Sequence, residues 1–256
     1  MALFARHLAR TAGALHDPPL PPLAIVSSDC PMRLPRAMWL LRARAWQRAR
    51  CVGLRPPAHY PAVGAKIADG DLMVVTVDEQ ESVGGGGYLV ASFHGDTDGL
   101  ASSPTLAAVH AYHTASAPQR KLIFGLDANT YSKPKPGKQA GAAEFIADAV
   151  SKGYAASGGE ASGKDATTFT ARTYLQPQLQ KACKAAAKAA TGDKNPKDFI
   201  LYGAESGLAV TEYGIDNTAR KAYVEDLVLP TLGWPSDHAL VYTTFSIDPA
   251  AAGSRV

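Results

Sequence analysis

"LIFGLDANT", residues 122–130, is the stretch on which the fold turns. Its apolar run reads as a buried strand, and it ends on Asp127 and Asn129, two side chains that prefer water. Asx residues at a strand end commonly make a turn. Residues two apart on a strand also share a face, so the pair could reach one ligand together. The neighbouring strands decide between these readings.

Working outward, "DLMVVTVD" (71–78) and "YLVASFHG" (88–95) are β-rich runs, and the glycines of "EQESVGGGG" between them suit a hairpin. "SPTLAAVHAYHTA" (103–115) predicts a helix with Ser103 as N-cap and Pro104 in the first turn, leading into the 121–127 strand. A second helix is expected at "AAEFIADAVSKGY" (142–154), and an Ala/Lys-rich surface helix at "LQPQLQKACKAAAKAAT" (175–191). "DFILYG", "GLAVTEYGI" and "ALVYTTFSI" close the chain as strands. Antiparallel strands with helices packed over them predict an α/β sandwich rather than a doubly wound parallel sheet.

Four of these strands carry polar groups where an apolar run meets a loop. They are "SFHGDTDG" with His94, "GLDANT" with Asp127 and Asn129, "KDFILY" with Asp198, and "PSDHALV" with Asp237 and His238. Hard oxygen donors suit Mg²⁺ or Mn²⁺, and an Asp beside a His can hold metal or take a proton. The combination points to phosphoester hydrolysis, with a metal polarising phosphoryl oxygens and a base activating water. His110 and His113 lie one helical turn apart but lack a third ligand, and read as packing residues. The "KPKPGK" loop reads as a solvated basic loop.

In this order, "GLDANT", "KDFILY" and "GWPSDHALV" behind "SFHG" resemble the endonuclease/exonuclease/phosphatase superfamily, the DNase I-like metal-dependent phosphodiesterase fold. The resemblance covers residues 71–247. It implies a DNase I-like β-sandwich with flanking helices. It implies that Asp127 orients or deprotonates the attacking water, that Asn129 holds phosphate or metal, and that Asp198 orients the catalytic His238. Asp237 becomes a metal carboxylate and His94 a group stabilising the transition state. Members of the family also carry an earlier strand-end Asn and a Glu that is the principal metal ligand. Here the first Asn is Asn129, and only Glu79 and Glu81 precede it. Seven strand residues at about 3.3 Å each put both Glu residues roughly 20 Å from the site end of the strand. The resemblance therefore implies a sandwich incomplete at its N-terminal side, with an uncovered apolar sheet face that could pair with a second copy and with weakened Mg²⁺ binding.

Residues 1–60 stand apart from the expected domain at 61–250. Residues 1–55 hold nine Arg and no Lys, opposed only by Asp17 and Asp29, a local charge of +7 that leaves −4 for the remainder. Strong duplex nucleic-acid binding by the core is therefore not indicated. "MALFARHLARTAGAL" is basic and amphipathic, as in a mitochondrial or plastid transit peptide, and equally a disordered leader. "MWLLRARAWQRAR" (38–50) reads as a short Arg-rich helix. Cys30, Cys51 and Cys183 are odd in number and unpaired in spacing, which suggests free thiols and an intracellular setting. No apolar run is long enough to span a bilayer. Two functions remain at this point. One is a Mg²⁺-dependent phosphodiesterase, nuclease or phosphatase acting on an oligonucleotide, a nucleotide or a phosphorylated lipid or inositol. The other is a truncated, silent homologue or gene-model fragment acting through interaction.

Overall fold

The computed structural model describes residues 23–27, 46–51, 59–60, 65–67, 70–79, 87–170 and 193–247. In chain order the strands are β1 (Leu23–Ser27), β2 (Trp46–Cys51), β3 (His59–Tyr60), β4 (Ala65–Lys66), β5 (Leu72–Glu79), β6 (Tyr88–His94) and β7 (Lys121–Asp127). They continue as β8 (Tyr154–Ala156), β9 (Thr168–Thr170), β10 (Asp193–Asn195), β11 (Asp198–Gly203), β12 (Leu208–Asp216) and β13 (Leu240–Ile247). Two helices, α1 (Ser102–Ser116) and α2 (Ala142–Ser151), flank β7 in sequence.

Six strands form one mixed sheet in the order β2-β5-β6-β7-β11-β8, and three form a second in the order β1-β13-β12. Within the larger sheet only β6 and β7 run parallel, and α1 makes the crossover between them. Side chains alternate between two cores. Leu89, Ala91 and Phe93 of β6, Leu122, Phe124 and Leu126 of β7, and Phe199 and Leu201 of β11 pack with Leu106 and Val109 of α1 and Phe145 of α2. The intervening Val90, Ile123 and Ile200 pack with Leu208, Ile215, Val241 and Phe245 of the second sheet. The run at 122–126 is unbroken by polar residues because both of its faces are covered. This is the α/β sandwich expected from the strand pattern.

Several expectations change. The inner face of the large sheet is not open, since the second sheet covers it. One strand of the second sheet, and one edge of the large sheet, come from before residue 60: β1 pairs with β13 and β2 pairs with β5. Residues 46–50, expected as the end of an Arg-rich helix, lie instead in a strand, β2 (Trp46–Cys51). On α1, the helix begins at Ser102 after Ala101 with no side-chain cap. Its first turn is tied down instead by Asp96 Oδ1, which accepts from the Ala101 N–H at 2.7 Å, while the Ser102 hydroxyl donates to the Ala128 carbonyl at 2.7 Å. The transit-peptide reading of residues 1–15, the helix at 175–191, Cys30, Cys183 and Glu81 lie outside the described residues. No helix among the described residues is long and apolar enough to cross a membrane.

Candidate active site

Strand register sets three polar side chains abreast. His94 of β6 pairs with Asp127 of β7, and Asp127 pairs with Asp198 of β11. Each lies an even number of residues from an inward-facing position (Val90, Ile123, Ile200), so all three point toward the second sheet. The fourth group, His238, comes from the loop entering β13. It is held by an isolated bridge to Thr168, by the Trp234 indole N–H donating to the His238 carbonyl at 2.7 Å, and by its own N–H donating to Ser236 Oγ at 3.1 Å. The site therefore sits at one mouth of the space between the sheets.

His238 Nδ1 lies 2.9 Å from Asp198 Oδ2, and its Nε2 lies 3.9 Å from Asp127 Oδ2. The same Asp127 oxygen is 3.9 Å from His94 Nε2, while His94 Nδ1 is 3.8 Å from Asp71. Asp127 thus stands between two imidazoles, each backed by another carboxylate. Burial pushes the Asp127 carboxyl up to about 6, with Asp198 adding to the rise, while His238, His94 and the Asn129 N–H oppose it. Burial opposes charge on His238, but the carboxylates of Asp198 and Asp127 outweigh it and raise the imidazole to about 10. Asp198 is held from behind by Thr167, whose hydroxyl donates to Asp198 Oδ2 at 2.6 Å and accepts from the Lys197 and Asp198 N–H groups at 2.9 and 3.1 Å.

Asn129 joins the group by a different route from the one its spacing suggests. The strand ends at Asp127, and Asn129 adopts φ 49°, a left-handed conformation that Asn tolerates. Its N–H donates to Asp127 Oδ1 at 2.9 Å, so the Asx turn is real. Its side-chain Nδ2 donates to Asp127 Oδ2 and to the Gly95 carbonyl, each at 3.1 Å. The carboxamide oxygen accepts from Lys197 Nζ at 2.9 Å. The loop after His94 packs tightly on this turn. A Cβ on Gly95 would lie 2.8 Å from the Asp127 carbonyl, and one on Gly99 (φ 72°) 2.7 Å from the Ala128 and Asn129 carbonyls.

Of the sequence-derived residues, the structure brings Asp127, Asn129, Asp198, His238 and His94 together. Asp237 is exposed at the rim, where its charge adds to the rise of His238. His110 and His113 lie away from this group; both Nδ1 atoms meet the Tyr154 hydroxyl, at 2.9 and 3.3 Å. Lys133, Lys135 and Lys138 of the basic loop are exposed. Glu79 ends β5 at the rim opposite Asp71 and the site. Thr167 and Lys197 were not singled out by any motif. The adjacency of Lys197 to Asp198 was the one local hint. The ligand atoms of Asp127, Asp198 and His238 all lie within 4.8 Å of one another, and two carboxylates with one imidazole form a donor set that divalent cations take. The residues present therefore fit a metal ion.

No protein-family model and no curated protein matches the chain. Among solved structures it is similar to the human Nocturnin catalytic domain with bound sulfate, at 15% identity over 79% of this chain and 59% of that one, TM-score 0.44. It is also similar to Danio rerio TDP2 complexed with single-strand DNA product, at 11% identity over 88% and 77%, TM-score 0.45. A third is an endonuclease/exonuclease/phosphatase from Beutenbergia cavernae, at 12% over 88% and 53%, TM-score 0.44. The chain spans 59% of the length of the Nocturnin catalytic domain.

Proposed function

We propose that this chain is a Mg²⁺- or Mn²⁺-dependent phosphoester hydrolase that activates water with the His238–Asp198 pair beside Asp127. The observation that carries the reading is the 2.9 Å contact between His238 Nδ1 and Asp198 Oδ2, which turns Nε2 toward Asp127 at the mouth between the sheets. An imidazole whose Nδ1–H is fixed on a carboxylate presents Nε2 as the proton acceptor. Asp127, with its carboxyl raised toward neutrality, is placed to orient the same water. His94 offers a second imidazole on the other side of Asp127, suited to charge developing on phosphoryl oxygens.

The carboxylates of Asp127 and Asp198, with Asp237 at the rim, would hold the ion; His238 is better used as the base. A divalent ion there would supply Lewis acidity toward the phosphate and cancel part of the negative field that keeps His238 protonated. Asn129, expected to hold phosphate or metal, is assigned to orienting Asp127 through its Nδ2. Water adds at phosphorus, its proton passes to His238 Nε2, and the ester oxygen leaves with a proton from solvent or an imidazole. An oligonucleotide, a nucleotide and a phosphorylated lipid or inositol all fit this chemistry as substrate.

A second reading, a silent homologue acting through interaction, draws on the Asn129 oxygen being engaged by Lys197 rather than offered to a metal. Hydrolysis of a generic aryl phosphodiester and an aryl phosphomonoester, each with Mg²⁺, with Mn²⁺ and with chelator, separates the two. Turnover that disappears with chelator supports the hydrolase, and absence of turnover under every metal condition supports the silent reading.

A further inference from the structure

Lys197 lies between Pro196 and Asp198, and its side chain is buried. Its backbone is fixed on both sides: the Ala128 N–H donates to the Lys197 carbonyl at 2.7 Å, and the Lys197 N–H donates to Thr167 Oγ1 at 2.9 Å. The ammonium donates to Asn129 Oδ1 at 2.9 Å and sits 4.9 Å from the centre of the Tyr131 ring. A buried lysine needs such partners, because an ammonium out of water is costly unless hydrogen-bonded or paired.

The contact settles which way Asn129 faces. A carboxamide has one acceptor oxygen and two N–H donors. Turned as it is, the oxygen meets the ammonium and the nitrogen meets Asp127 Oδ2 and the Gly95 carbonyl. Flipped, it would oppose nitrogen to ammonium and oxygen to both acceptors. Lys197 therefore commits Asn129 as a donor toward Asp127. A divalent ion seeking Asn129 Oδ1 would have to displace a buried positive charge or lie against it.

We propose that Lys197 is a built-in cation of this site: a positioning residue that holds Asn129 toward Asp127 and keeps a divalent ion away from the Asn129 oxygen. The inference rests on the functional reading above for the importance of Asp127, but its test does not. Mn²⁺ binding to the full-length chain is measured by electron paramagnetic resonance for wild type and Lys197→Met, each checked for folding by thermal melting. Removing the ammonium frees the Asn129 oxygen and lifts a like charge, and Mn²⁺ binds about tenfold or more tighter. Equal or weaker binding in Lys197→Met, or no Mn²⁺ binding to either protein, overturns the proposal. Asn129→Ala gives an independent reading that holds if Lys197→Met does not fold. No ligand is lost, so Mn²⁺ affinity falls by less than about tenfold, and a larger loss would make Asn129 a ligand and overturn the proposal. A chain that binds Mn²⁺ as described yet cleaves no phosphoester would reject the hydrolase and leave Lys197 in its role.

Discussion

Asp127 and Asp198 stand directly opposite each other on paired strands, an arrangement that repels unless a positive group intervenes. His238 is that group, within 3.9 Å of one carboxylate and 2.9 Å of the other. The consequence is a stability that depends on pH in a stated direction. The folded imidazole is raised to about 10 from its ordinary 6.5, so its contribution is fully present below pH 6.5 and is lost as pH rises through 10. Asp127, raised to about 6 from 3.8, acts in the same direction at lower pH, since the folded chain again binds the proton more tightly than the unfolded one. Without added metal, the urea midpoint should fall between pH 6.5 and 10, and His238→Gln should flatten that fall. A second expectation concerns Thr167, the hydroxyl behind Asp198. Thr167→Val strands the Lys197 and Asp198 N–H groups and leaves Asp198 Oδ2 with His238 as its remaining donor, and should cost about 1–3 kcal/mol in urea unfolding.

At the scale of elements, the site is made by two turns pressed together, the one after β6 and the one after β7. Gly99 is where they meet: its φ is 72°, and a Cβ would strike two backbone carbonyls that cannot move aside like a side chain. Gly99→Ala should destabilise the fold by about 1–3 kcal/mol by urea unfolding and lower Mn²⁺ affinity with it, because the displaced turn begins at Asp127 and fixes its carboxylate through the Asn129 N–H. These elements also show what the sequence could disclose. Asp127, Asp198 and His238 were legible because each stands at the end of an apolar run within a recognisable order. Thr167 and Lys197 were not, since their contacts span 30 to 68 residues without any local pattern. Asn129 was placed with Asp127 for an incomplete reason: strand alternation stops at Asp127, and the left-handed turn does the rest. β2 was misread as helix because Arg and Ala favour helices, whereas its place at the edge of a sheet is one that charged residues also occupy.

For the whole molecule, the difference that matters is the second sheet. A missing N-terminal half predicted an open apolar face, but β12 and β13 cover it, and Phe245 is buried against Tyr202 with ring centres 5.1 Å apart. Phe245→Ala should therefore cost about 3–5 kcal/mol in unfolding free energy, the loss of a core aromatic rather than of a surface one. The same two-sheet packing brings the β13 loop, and with it His238, over the ends of β7 and β11. The candidate site and the core thus share one architecture. The proposed hydrolysis depends most directly on His238 as the base. The deciding measurement is kcat/KM for phosphodiester hydrolysis with saturating Mg²⁺ or Mn²⁺ in wild type and in His238→Ala shown to be folded. A loss of about 100-fold or more is the expected result. Metal-dependent turnover that survives in His238→Ala would contradict it.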